Sequence, residues 1–272
     1  MSRTPSVLDR IIERKRREVA AAKSSVPLEE LRDRISELGR PRNFFRAVVD
    51  APAQDRTRVI AEIKHRSPSG GVLREDFDPV TIARQYDRAG AAAISCLTDE
   101  ADFGGSLAFI HRIRDAVPLP VLRKDFIVDA YQIWEARAHG ADAILLIAEC
   151  LNERDIIDFQ ILATELSMTT LLEVHDVESL YRAINHVGFP HPGYSLLGIN
   201  NRNLRTMKTD LTHTLRMVDL VEDRRILVSE SGISAPADLR RLREHDVRIV
   251  LVGEHLMRQP DPGQALRALL EP

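Results

Sequence analysis

The sequence predicts a single (β/α)8 barrel preceded by a helical extension. Three observations carry the prediction. Eight short apolar runs rich in Val, Ile and Leu recur after residue 58, amphipathic segments follow most of them, and successive runs start about 23 to 32 residues apart, the size of a βα unit with short loops. Alternating β and α elements imply a parallel sheet, and eight units favour its closure into a barrel. A doubly wound open sheet is the competing arrangement. Its dinucleotide-binding form wants GxGxxG straight after the first strand, whereas the first run here ends in Lys64-His65-Arg66-Ser67.

In chain order, Leu8, Ile11, Ile12 and Val19 sit among Arg, Lys and Glu at helical spacing, and a second short helix is expected from Leu28 to Ile35 after Pro27. Asn43-Phe44-Phe45 and a polar link from Pro52 to Arg58 follow. Residues 1–58 therefore read as a helical extension packed on the barrel, over its mouth, and residues 1–272 as one domain. The strands are VIAEIK (59–64), AAAISCLT (91–98), PVLRKDF (120–126), AILLIA (143–148), TTLLEVH (169–175), LLGIN (196–200), RILVSES (225–231) and IVLVGE (249–254). Helices are expected over Pro79 to Ala89, Ala130 to His139, Asn152 to Leu166 and Pro236 to His245. Gly90 and Gly140 each end a helix just before a strand.

The balance of 38 basic and 41 acidic residues, net −3, leaves no electrostatic footprint for nucleic acid or a membrane surface. No apolar run approaches the ~18 residues of a membrane span, and residues 1–10 show no apolar segment of a secretory signal. Cys96 and Cys150, both inside apolar runs, read as core thiols of a cytoplasmic protein. The nine histidines show no metal-ligand spacing, so no metal is expected. Trp134 reads as packing.

Functional groups of such barrels sit at the C-terminal ends of the strands. Glu62 and Lys64 end the first strand two apart, above Ile60, so they share a side. Lys124 and Phe126 end the third above Leu122, Glu173 ends the fifth above Leu171, and Asn200 ends the sixth above Gly198. Ser229 and Ser231 are read as sharing a face on the seventh, which turns Glu230 the other way and makes it a supporting group only. His175 shares the Glu173 face, as a site or a rim residue. Charged groups facing a barrel interior need partners or a ligand. The loop Ser67-Pro68-Ser69-Gly70-Gly71, with Ser231-Gly232 and Gly253-Glu254 after the last two strands, suggests a phosphate site, and Glu254 to Arg258 a short helix beside it.

Seven segments in order resemble the indole-3-glycerol phosphate synthases of tryptophan biosynthesis: AEIKHRSPSGG (61–71), LTDEADFGGS (97–106), LRKDFIVDAYQI (122–133), LLEVH (171–175), GINNRNL (198–204), VSESGI (228–233) and LVGEHLM (251–257). The resemblance covers nearly the whole chain. It implies catalytic lysines at Lys64 and Lys124, catalytic glutamates at Glu62 and Glu173, and substrate-binding groups at Asn200, Ser231 and Arg202. It implies phosphate contacts at Ser67 and at the backbone of Gly232, Gly253 and Glu254, and a ring pocket at Phe103, Phe126, Leu145 and Leu204. Where some members carry serine this chain has Glu254, whose carboxylate would repel a phosphate. Only its backbone N–H is therefore expected to face the anion.

The implied reaction closes a ring. 1-(2-carboxyphenylamino)-1-deoxyribulose 5-phosphate becomes indole-3-glycerol phosphate, carbon dioxide and water. It is redox-neutral, so no cofactor is expected. The implied partner is a phosphorylated small molecule, with no nucleic acid or membrane, and the chain is expected to act as a monofunctional monomer. Two other readings share a barrel-strand lysine near a phosphate: a class I aldolase, with Lys124 or Lys64 forming a Schiff base, and a non-catalytic barrel that binds a phosphorylated metabolite.

Overall fold

The computed structural model describes residues 6–50, 56–68, 70–203 and 208–271. The sequence readings at Pro52, Ser69 and Leu204 lie outside the described residues. Eight parallel strands close a barrel: β1 Arg58–Ile63, β2 Ala93–Leu97, β3 Val121–Lys124, β4 Ala143–Ile147, β5 Thr169–Val174, β6 Ser195–Asn200, β7 Leu227–Glu230 and β8 Ile249–Val252. Each pairs with its neighbours in chain order, and β8 returns to β1 with Ile60 opposite Leu251. Every strand overlaps a predicted apolar run, with β1 and β6 each beginning one residue before theirs, at Arg58 and Ser195.

The helices are α1 Val7–Ser25, α2 Leu28–Glu37, α3 Phe44–Val49, α4 Pro79–Ala89, α5 Glu100–Phe103, α6 Ala108–Ala116, α7 Ala130–Ala138, α8 Glu153–Glu165, α9 Val177–Ile184, α10 Thr212–Met217, α11 Pro236–Arg243, α12 Glu254–Met257 and α13 Pro262–Leu270. Local chemistry sets their ends. Asp78 caps α4 ahead of Pro79, and Gly90 ends it at φ +89°, a left-handed conformation that costs glycine little.

The strands alternate between two cores. One side chain in two packs outward against the helices, as Val59, Ala61 and Ile63 do on β1. The other points into the barrel, where Ile60, Leu122, Leu171, Leu196, Val228 and Leu251 form a separate interior cluster. That inward column ends in the polar residues at the strand C-termini.

The extension differs from the sequence reading in one respect. The Asn43 side chain accepts from the Arg46 backbone N–H and starts α3, a helix too short to show in periodicity. Phe44 and Val48, four apart on it, are fully buried in the interior cluster. Val48 lines a cleft with Arg58 and Ile249, the first residues of β1 and β8. So α3 closes the end of the barrel opposite the mouth. The α1 helix reaches the mouth side instead. The buried Lys15 ammonium there lies 2.9 Å from Asp99 and 2.8 Å from Asp125, which follow β2 and β3.

Candidate active site

The C-terminal ends of the strands surround a cleft of about 1000 Å³, open mouth included. All fourteen sequence-predicted site residues within the described regions line it: Lys64, Lys124, Glu62, Glu173, Asn200, Ser231, Ser67, Arg202, Gly232, Gly253, Glu254, Phe103, Phe126 and Leu145. Strand geometry brings them together. Residues two apart point the same way, so Glu62 rises above Ile60 and Glu173 above Leu171, each at the top of an apolar interior column.

Two ion-paired groups occupy the floor. Lys64 Nζ donates to Glu62 Oε1 at 2.5 Å. Lys124 Nζ donates to Glu173 Oε2 at 2.7 Å and to Glu230 Oε2 at 2.6 Å. All three carboxyls are buried. Burial alone would lower the pKa of the Lys124 ammonium, but Glu173, Glu230 and Glu62 together raise it, so the lysine stays charged. Burial opposes ionisation of Glu173, yet Lys124 and His175 hold it well below the usual carboxylate range. Burial, with repulsion from Glu173, pushes Glu230 up to about 8. The two carboxyls on the same lysine are thus driven apart, Glu173 toward the carboxylate and Glu230 toward the acid.

Two glycines make room for these groups. A Cβ on Gly198 would lie 2.3 Å from Glu230 Oε1, and one on Gly253 would lie 2.3 Å from Glu62 Oε1. Each carboxyl crosses the space that a neighbouring strand's side chain would otherwise fill.

Glu230 is the residue the sequence reading turned the wrong way. It shares the inward face of β7 with Val228. Ser229 faces outward instead, accepting from Asn201 Nδ2 at 3.0 Å and lying 2.8 Å from the Thr214 hydroxyl. Ser231 reaches the cleft because its backbone is left-handed, φ +69°, followed by Gly232 at φ +79°. That conformation is uncommon outside glycine, and it re-aims the chain as the strand ends. Counting alternation from Val228 in the apolar run would have found Glu230.

The cleft has two further regions. Phe103 and Phe126 face each other with ring centroids 6.2 Å apart and, with Leu97, Leu145 and Ile147, form an apolar wall. On the other side Ser67, Arg202, Gly232, Gly253 and Glu254 gather. The Glu254 side chain is held within this region by two arginines. Its carboxylate accepts from Arg202 at 2.8 Å and from Arg258 at 3.0 Å. Burial opposes its ionisation, but these arginines and Lys64 keep its pKa low. Ser67 Oγ accepts from the Gly70 N–H at 3.0 Å, and residues 66–67 pair with 71–72 in a short antiparallel hairpin. The loop is thus braced against itself.

Asp125, between Lys124 and Phe126, is fixed from four sides. It accepts from Thr98 at 2.6 Å, Arg123 at 3.1 Å and its neighbour's N–H at 2.8 Å, and pairs with Lys15. The end of β3 is therefore anchored both to β2 and to α1. Among the described residues no group of three or more His, Cys, Asp or Glu is arranged to hold a metal ion, and no helix is long and apolar enough to cross a membrane.

A sequence model of the family described as indole-3-glycerol phosphate synthase matches residues 8–269. Curated relatives of that name are 46% identical over 265 residues in Rhodopirellula baltica, covering 97% of this chain and 99% of the relative, and 48% identical over 263 residues in Aromatoleum aromaticum, covering 97% and 98%. Among solved structures, a 3-hexulose-6-phosphate synthase superposes at TM-score 0.61 with 14% identity, covering 78% of this chain and 97% of that one. A thiamine phosphate pyrophosphorylase from Pyrococcus furiosus superposes at 0.56 with 16% identity, covering 79% and 95%. At those identities the structural matches speak for the barrel alone.

Proposed function

Because the chain belongs to the indole-3-glycerol phosphate synthase family, we propose a division of the reaction among the residues of its cleft. The enzyme is a carboxy-lyase of tryptophan biosynthesis. It closes the indole ring of 1-(2-carboxyphenylamino)-1-deoxyribulose 5-phosphate with loss of carbon dioxide and water.

The phosphate is held near Ser67, Arg202 and the backbone N–H groups of Gly232, Gly253 and Glu254. There Arg202 also neutralises the Glu254 carboxylate. The aromatic ring lies against Phe103, Phe126 and Leu145. Holding both ends of one flexible molecule turns ring closure into a proximity problem already solved by binding.

Lys124 donates to the ketone oxygen as the aromatic carbon attacks. It supplies both a proton and a positive charge in a water-poor site. Lys64, steadied by Glu62, pairs with the carboxylate that leaves as carbon dioxide. Asn200 and Ser231 orient the substrate's hydroxyls. In the dehydration Glu173 takes the ring-carbon proton and Glu230 protonates the departing hydroxyl. Glu230, not Glu62, is the acid because Glu62 is paired with Lys64, while burial and Glu173 push the Glu230 carboxyl toward its protonated form. No electrons are exchanged, so the chemistry calls for no redox cofactor. In this reading the enzyme acts in the cytoplasm as a monomer.

The observation that carries the reading is the Lys124 ammonium between two buried glutamates. It also speaks against the Schiff-base aldolase, which needs a neutral amine, and turnover separates the enzyme from a barrel that only binds. The test is fluorescence gain from indole product with the anthranilate-derived ketose phosphate. Wild-type protein is expected to turn over, and Lys124→Ala to lose at least 100-fold in kcat while folded, the scale of a removed general acid. A folded Lys124→Ala that keeps most of its turnover would refute the assignment.

A further inference from the structure

Lys124 Nζ stands 2.7 Å from Glu173 and 2.6 Å from Glu230. The lysine therefore does little to distinguish the two carboxyls that share it. Their second oxygens differ. Glu173 Oε1 lies 3.2 Å from His175 Nε2, an ion-pair contact and not an aligned hydrogen bond, whereas Glu230 Oε1 is buried with no hydrogen-bond partner among the described residues.

His175 is itself clamped. Its Nδ1 lies 3.2 Å from Glu149 Oε2, and its backbone N–H donates to Glu149 Oε1 at 2.8 Å. Its carbonyl accepts from His213 Nε2 at 2.9 Å. Only 7% of its side chain is exposed. Glu149 lies in the turn after β4 and His175 just past β5, so two strand ends fix the ring from opposite sides.

We propose that His175 is a positioning residue that makes Glu173 the base and leaves Glu230 the acid. An imidazolium between Glu149 and Glu173 gives one member of the carboxyl pair a second cation and gives the other none. The inference deepens the reading above, since it rests on Glu173 as the base.

The groups that face these residues agree with it. Glu173 faces Lys124, His175 and Glu230, and Glu62 lies beyond Lys124. Glu149 and Glu173 stand against His175, and the Cys150 thiol beside them is kept neutral by burial and by both carboxylates. Burial would lower the His175 pKa, but Glu149 and Glu173 raise it to about 10. Two carboxyls on one lysine titrate as a pair. The histidine decides which member releases its proton first.

The experiment is the pH dependence of kcat in the indole-fluorescence assay for wild type, His175→Gln and Glu149→Gln, with thermal melts to verify folding. With the second cation gone, the acid limb of kcat should move up by about one pH unit or more. In Glu149→Gln, which weakens the imidazolium without removing it, the limb should move the same way by less. KM at the optimum should stay within about twofold, because neither residue touches substrate. A merely structural role predicts an even loss at every pH, so an unmoved acid limb in folded His175→Gln overturns the proposal. If that variant does not fold, Glu149→Gln decides by the same limb. Glu173→Gln separates the two claims. Full turnover there refutes Glu173 as base and this inference with it, whereas lost turnover beside an unmoved His175→Gln limb refutes this inference alone.

Discussion

Gly198→Ala isolates the steric condition on which the acid–base pair depends. Gly198 lies on β6 with no left-handed backbone, so alanine brings no dihedral strain. The added methyl would lie 2.3 Å from Glu230 Oε1 and 3.2 Å from Leu171 Cδ1. Leu171 can yield slightly, but the carboxyl must retreat by about 0.7 Å to reach even the 3.0 Å floor for such contacts. The hydrogen bond from Lys124 to the other oxygen of that carboxyl is now 2.6 Å long, and a retreat of that size directed away from the lysine lengthens it to about 3.3 Å, just beyond the usual range. A charge-assisted hydrogen bond contributes about 1.5–3 kcal/mol, which corresponds to a loss of roughly 10- to 150-fold in kcat if the bond is made in the transition state. Overpacking adds a stability cost of about 1–3 kcal/mol. Steady-state indole fluorescence and a thermal melt read both. A folded Gly198→Ala enzyme with kcat within twofold of wild type would refute the claim that Glu230 must cross this space to work.

Lys15→Met should destabilise the protein by about 3 kcal/mol, because it leaves the buried Asp99 and Asp125 short of a cation. A melting temperature lowered by about 6–12 °C is expected, and an unchanged melt would mean that α1 does not tether the mouth loops. Arg202→Gln should raise KM roughly tenfold or more with kcat nearly constant, since it removes a charge-assisted contact and frees the Glu254 carboxylate to repel phosphate. Adding Glu254→Gln should recover part of that loss. A KM unmoved in the single variant would place the phosphate elsewhere.

The barrel was legible because burial on both faces forces each strand into a short apolar run, and helix spacing follows from the loops. The site was legible wherever a strand stays regular to its end, as at Glu62, Lys124 and Glu173. It failed at β7, where Ser231 breaks alternation through its backbone and two serines imitate a polar face. Alternation has no way to register a left-handed residue. Nor does it register volume. In the sequence Gly198 reads only as the step below Asn200 and Gly253 as a phosphate contact, yet in the fold they are also the hollows into which Glu230 and Glu62 reach. The α3 helix escaped notice because six residues make too few turns for a period. Glu149 and His175 lie 26 residues apart, and the parallel pairing of β4 with β5 brings them together.

The stopper formed by α3 has a consequence for how the chain reaches its native state. Phe44 emerges from the ribosome long before the last strand of the barrel, yet the interior cluster it joins includes Ile249, made more than two hundred residues later. The bottom of the barrel seals only when the last strand pairs with the first. Such distant contacts slow folding, and until they form, Phe44 and Val48 present an apolar face to other chains. A nascent or truncated chain lacking β8 is therefore open at the bottom as well as along its side. One aromatic ring near the beginning of the sequence reports whether the end has arrived.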